Sequence, residues 1–277
     1  MAKYLNPKAD LTFKKIFGQH KNLVMSLLNA LLPLPDGMEI KSVEYVTAEN
    51  IPNSPAKKYS IVDVKCFDNY NRQFIVEMQS YWTQEFFSRT VFNAAAAYSN
   101  QLKKGISFLE LKDVYALSLV NEEAFCYNVD GEYIQEYYLT NKNHNEDIHT
   151  NLALIFVELP KFKPGNKGDK KMKDLWMKFL TQIDEHTDEV DAELLSNPEI
   201  SQALKIVEES AYNDSELAAY QKYWLDIITE RSAILGAEQR GEQSKAIAIA
   251  KKMKAHGDSI EYIAEMTGLT IAEINNL

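Results

Sequence analysis

The sequence predicts an α/β core over residues 1–160, followed by an α-helical C-terminal region over residues 161–277 that ends in a short helical hairpin. Three observations predict this. Strand-like runs occur only before Pro160, helical periodicities are interleaved with them there, and only helical patterns follow.

The elements can be justified in order. "NLVMSLLNALL" (22–32) sets Leu23, Val24, Leu27, Leu28 and Leu31 on one helical stripe. "EIKSVEYVTAE" (39–49) alternates as a strand does, and "NIPNSPAKKY" (50–59) is a loop punctuated by two prolines. "SIVDVKCFDNYNRQFIVEMQ" (60–79) reads as two strands about an Asn/Asp-rich turn. "TQEFFSRTVFNAAAAYSNQLKKG" (83–105) is an Ala-rich helix closed by Gly105. "DVYALSLVN" (113–121) is a continuous apolar strand, and "FCYNVDGEYIQEYYL" (125–139) is a hairpin about Asp130-Gly131. "LALIFVELP" (152–160) is a strand stopped by Pro160, and 161–173 is a basic connector. Helices are expected at about 170–185, 198–211, 215–235 and 242–256, and then a short pair. In that pair, Asp258 with Glu261 and Thr270 with Glu273 have capping-box spacing. Its second helix carries an acid and no base, which favours packing or oligomerisation over reading a DNA groove.

Composition excludes some classes. With 277 residues, 45% of them hydrophobic, the chain is long enough to bury a core. A net charge of −10 argues against simple coating of DNA, though not against a local basic groove. Cys66 and Cys126 lie in strand-like runs and read as reduced, buried thiols of a cytoplasmic protein. The first ten residues have no apolar signal region, and the longest aliphatic run, 152–157, is too short for a membrane span.

The hairpin at 60–79 holds the chemistry. Alternate side chains of a strand face opposite ways, so Val62, Val64 and Cys66 share one face while Asp63 and Lys65 share the other. In the second strand Phe74, Val76 and Met78 share a face, and Ile75, Glu77 and Gln79 the opposite one. An odd-numbered turn centred on Tyr70 sets Asp63 across from Glu77. Two carboxylates about 5 Å apart repel by about 3 kcal/mol at an effective dielectric near 20. Magnesium or manganese would offset that repulsion. The plain alternative is a half-exposed sheet on which Lys65 neutralises Asp63.

The order Asp, turn, apolar-Glu-x-Gln resembles the PD-(D/E)xK nuclease site in an E-x-Q form. More narrowly it resembles the Rpn family of recombination-promoting nucleases, also described as transposases. "DLTFKKIFG" (10–18) with its "LLNALL" helix resembles that family's opening, "RTVFNAAAAYSNQLKKG" (89–105) the segment after its hairpin, and "IAEMTGLTIAEINNL" its end. The resemblance implies a restriction-endonuclease-like mixed sheet flanked by helices and a DNA endonuclease using Mg2+, or Mn2+ in its place. It implies Asp63 and Glu77 as metal ligands and Gln79 where a lysine usually orients the attacking water. Glutamine can position water but is no base, and a lysine at 79 is therefore expected to raise activity. Lys65 faces the right way to supply the missing charge.

Other residues keep two readings. Asp10 is a third site acid or an N-cap for its helix. Lys14 touches phosphate or lies in solvent. Arg89 and Tyr98 contact phosphate or form a buried structural pair. "HNEDIH" (144–149) is a transition-metal cluster or a polar loop, and the lysines at 161, 163, 167, 170, 171 and 173 are a DNA-backbone contact or a solvated linker. Two functions stand side by side: a metal-dependent endonuclease acting in recombination or transposition, and a nuclease-derived DNA-binding or assembly module, with the C-terminal helices as its homo-oligomer contacts.

Overall fold

One mixed sheet of six strands organises the computed structural model, which describes residues 3–35, 37–46, 63–103, 105, 107–125, 132–164 and 171–277. The strands are β1 (Val43–Tyr45), β2 (Val64–Asp68), β3 (Gln73–Gln79), β4 (Val114–Val120), β5 (Ile134–Asn141) and β6 (His144–Glu158), in the order β1-β2-β3-β4-β6-β5. β3, β4 and β6 run parallel to one another; the other pairs are antiparallel. β4 is buried along its whole length, as expected of a central parallel strand with both faces covered.

Helices cover both faces. Phe74, Val76, Tyr115, Leu117, Ile155 and Val157 point to the larger core. They pack there with α1 (Asp10–Phe17), α2 (Lys21–Leu31), α4 (Lys171–Gln182), α5 (Ala192–Ser196) and α6 (Pro198–Ile206). Trp176 of α4 is fully buried against Phe17, and its ring N–H donates to Ser26 Oγ at 3.0 Å. On the opposite face α3 (Gln84–Ser99) packs through Phe86, Ala94 and Ala97 onto Ile75, Ala116 and Phe156. The face of β3 that carries Glu77 is therefore covered by a helix instead of being half exposed.

The β2–β3 turn is odd-numbered. Asp68 N–H donates to Arg72 O, and Asn71 turns the chain with φ 60°, a left-handed conformation that asparagine tolerates. Asp68 and Arg72 lock it. Arg72 Nε and Nη2 reach Asp68 Oδ2 at 2.8 and 2.7 Å, while Asp68 Oδ1 accepts the backbone N–H groups of Tyr70 and Arg72. Both side chains are buried. The turn sets Val64 against Val76 and Cys66 against Phe74. Burial pushes the Cys66 thiol up to about 12, so it stays a protonated, free apolar group.

Several sequence expectations are corrected. α3 ends at Ser99, six residues short of Gly105, which takes a positive φ in the following loop. The hairpin lies between β5 and β6, with its turn near Lys142-Asn143. The expected Asp130-Gly131 turn, Cys126, Val62, Lys167 and Lys170 lie outside the described residues. "HNEDIH" is the exposed start of β6, with His144 near Glu146 and His149 near Asp147. Lys161 is no solvated linker residue: it donates to Phe125 O and pairs with the fully buried Glu158 at 3.0 Å.

By its contacts the chain divides into two units, Met1–Tyr220 and Gln221–Leu277, and α4 to α6 belong with the sheet. The two helices expected at 215–235 and 242–256 are one, α7 (Asp214–His256), because Gly236 and Gly241 both keep negative, helical φ. α8 (Ile260–Thr267) and α9 (Ile271–Asn275) form the terminal hairpin, packing Ile263, Leu269 and Ile274 with Ala250 of α7. Ser259, not Asp258, caps α8, whereas Thr270 and Glu273 form a complete capping box on α9. Among the described residues no helix is long and apolar enough to cross a membrane.

Candidate active site

The β2–β3 register, continued one residue beyond Val64, sets Asp63 opposite Glu77. Asp63 Oδ2 accepts the backbone N–H of Met78 at 2.7 Å, which fixes its carboxyl beside Glu77. Glu77 is 5% exposed. Its Oε1 accepts from Asn93 Nδ2 at 2.9 Å, and its Oε2 lies 4.0 Å from Arg89 Nη2. Burial raises the Glu77 pKa, and the charge of Asp63 adds to it; Asn93 and Arg89 pull it down. Burial likewise raises Asp63, against the lowering effects of the Met78 N–H and Lys14.

α1 brings a third acid and a cation. Lys14 Nζ is 2.6 Å from Asp10 Oδ1 and 3.7 Å from Asp63 Oδ1. Asp10 and Asp63 are close enough for their carboxyls to hydrogen-bond, which raises Asp63 further. Asp10 is the first residue of α1 and not its cap: Ala9 holds the cap position and no side chain caps it. An acid in this first turn is favoured by the helix dipole.

Gln79 is engaged at both ends of its amide. Its Oε1 accepts from Arg89 Nη2 at 3.1 Å, and its Nε2 donates to Tyr81 O at 3.0 Å. The guanidinium of Arg89 also lies 5.0 Å from the Phe86 ring and is half exposed. Arg89 and Tyr98 are therefore not a buried pair. Tyr98, nine residues on, is about half a turn out of phase with Arg89 and packs, partly buried, against the apolar cluster under α3. Lys65 shares the face of Asp63 by alternation and pairs with Ile75 across the hairpin. Among the described residues, Lys14 stands near Asp63 and Arg89 near Glu77.

Sequence reasoning missed Asn93 and Ser118. Asn93 lies one turn after Arg89, and it is the polar position in "FNAAAA". Ser118 is the buried neighbour of Glu77 across β3–β4 and the polar position in "VYALSLV".

Asp63 and Glu77 offer hard oxygen donors whose ionised forms are destabilised by burial and by a neighbouring carboxylate, Asp10 for Asp63 and Asp63 for Glu77. That donor set fits a small divalent cation. Among the described residues, no group of three or more His, Cys, Asp or Glu is arranged as a metal-ligand set, and Asp10 is not brought into one with Asp63 and Glu77. The "HNEDIH" residues form no such set either.

A family model described as PD-(D/E)XK nuclease family transposase matches residues 7–234. Among curated proteins and among solved structures, none gives a significant match. The matched span contains α1, the hairpin and α3, and so every candidate side chain above.

Proposed function

Because the chain belongs to the PD-(D/E)XK nuclease family transposases, we propose that it is a metal-dependent DNA endonuclease that hydrolyses phosphodiester bonds in recombination or transposition. One observation carries this reading. Two carboxyls, Glu77 buried on β3 and Asp63 largely buried just before β2, face one another; burial raises the pKa of each, and the charge of Asp63 adds to Glu77 while that of Asp10 adds to Asp63. A merely structural sheet gains nothing from such a pair.

Asp63 and Glu77 would hold Mg2+ or Mn2+, which when bound supplies a water ionised near neutral pH and a charge against the phosphate oxygens. The protein's own groups do the rest. Asn93 and the Met78 N–H fix the two carboxyls, so little reorganisation remains when substrate arrives. Arg89 and Lys14 place two positive groups beside the acids, where a phosphodiester would otherwise be repelled. The buried, reduced Cys66 suits a cytoplasmic protein.

Plasmid nicking tests the reading. The wild type should cut with magnesium or manganese and not in EDTA, and Asp63→Ala and Glu77→Ala should each abolish cutting. Undiminished cutting by Asp63→Ala would place the activity elsewhere. The second reading, a DNA-binding or assembly module with weak or lost catalysis, is favoured by one contact: Lys14 already stands between Asp10 and Asp63 as their cation. No cutting across many DNA substrates and both metals would select it.

A further inference from the structure

α3 grips β3 at two points. Arg89 bonds Gln79, and one helical turn on, Asn93 bonds Glu77. Four helical residues rise about 6 Å and two strand residues about 6.7 Å, so the two bonds form matched rungs between an antiparallel helix and strand. The amide of Gln79 can face only one way. On one side stands a donor, the Arg89 guanidinium; on the other stands an acceptor, the Tyr81 carbonyl. Reversing the amide would set donor against donor and acceptor against acceptor.

Resting on the nuclease reading above, we infer that Gln79 is a positioning residue: it aims the Arg89 guanidinium at a phosphodiester held beside Glu77. Arg89 is held from three sides, by Gln79 Oε1, by Glu77 Oε2 and by the Phe86 ring. All its polar contacts use Nη2. The donors of Nε and Nη1 make no bond within the described residues, on a side chain that is half exposed. That leaves the fork of a guanidinium open to paired phosphate oxygens, in a fixed orientation. Gln79 needs no contact with the attacking water to matter. A lysine at 79 would remove the acceptor and place an ammonium against the guanidinium, which reverses the expectation from the motif alone.

The test is a double-mutant cycle on the full chain with Gln79→Met, Arg89→Met, the double variant and Gln79→Lys, each checked by thermal melting. Two quantities are read: plasmid-nicking rate with manganese, and affinity for a labelled duplex in EDTA by fluorescence anisotropy. Gln79→Met should lower duplex affinity and nicking about tenfold in the wild-type background, the scale of a lost charge-assisted hydrogen bond. It should cost nothing further once Arg89 is methionine. Gln79→Lys should lose at least as much as Gln79→Met. An equal cost of Gln79→Met with and without Arg89, or a Gln79→Lys protein as active as wild type, overturns the inference. Duplex affinity unmoved by Arg89→Met overturns it too. A wild type that binds duplex through Arg89 yet never cuts sinks the nuclease reading and leaves this one standing.

Discussion

Asn93 reaches across from α3 and donates to Glu77 Oε1 at 2.9 Å, in a contact closed to solvent on both sides. The bond favours the ionised form of Glu77 against the burial that opposes it. Asn93→Ala should therefore raise the Glu77 pKa and move the acid limb of the pH–rate profile for nicking to higher pH. A buried acceptor left without its donor costs about 1–3 kcal/mol. A profile unmoved in Asn93→Ala would mean that Glu77 does not govern that limb.

Neutralising the acids should stabilise the metal-free protein while destroying its activity. Asp63 and Glu77 both titrate above their ordinary values in the folded chain. The folded chain therefore holds more protons than the unfolded one between the ordinary carboxylate pKa and the raised folded values, and these two groups make stability fall as pH rises through that window. Asp63→Asn and Glu77→Gln should each raise Tm in EDTA near neutral pH, at about 2–4 °C per kcal/mol for a chain of this size. A fall in Tm for both would contradict the assigned shifts.

Magnesium should reverse that ranking. A cation at ten times its Kd adds about 1.4 kcal/mol to the wild type. The added stability should be lost in Asp63→Asn and Glu77→Gln. Scanning calorimetry with and without magnesium reads it, and an equal metal shift in all three proteins would place the cation elsewhere.

Breaking the turn should cost more than breaking the site. Asp68→Ala leaves the Arg72 guanidinium buried without its carboxylate, and such a loss typically costs about 3–5 kcal/mol. The same lock sets the register that brings Asp63 to Glu77. Chemical denaturation should show the loss directly, and a cost under about 1 kcal/mol would mean that the register is held by the apolar pairs alone.

Gly241→Ala should stabilise α7. The position is helical, and an added Cβ meets no neighbour within 4 Å. The gain expected is about 0.5–1 kcal/mol, visible as slower amide exchange in the middle of the helix. Faster exchange there would argue for a break at this glycine.

The hairpin was legible because its signals are local: an Asn/Asp turn, strict alternation and an odd loop give the Asp63–Glu77 relation without tertiary knowledge. The rungs between α3 and β3 were not, because the partner of Gln79 is chosen by helix docking ten residues away. The same holds for Lys161, whose buried partner Glu158 reads as the polar end of a strand. Asp10 turned on a single position, first turn against cap. The gap expected between helices at 235 and 242 holds Gly236 and Gly241, yet each glycine weakens a helix by only about 1 kcal/mol, and 43 residues of helix outlast them. "HNEDIH" was misread as loop because a strand exposed to water has polar composition without losing its ladder.

The support beneath α1 has a consequence for synthesis on the ribosome. The acids, Gln79 and the side chains that contact them, Lys14, Arg89 and Asn93, all lie between Asp10 and Asn93, in about the first third of the chain. Yet α1 rests on partners made much later: Phe17 packs on Trp176, Lys15 pairs with Glu216, and Leu5 bonds Val207 through the backbone. A nascent chain stalled after α3 thus contains the whole chemistry without the seat that holds Asp10 and Lys14 against Asp63. Ribosome-bound or prematurely ended fragments of this protein should be harmless to DNA, and competence should arrive only as the later helices emerge and dock.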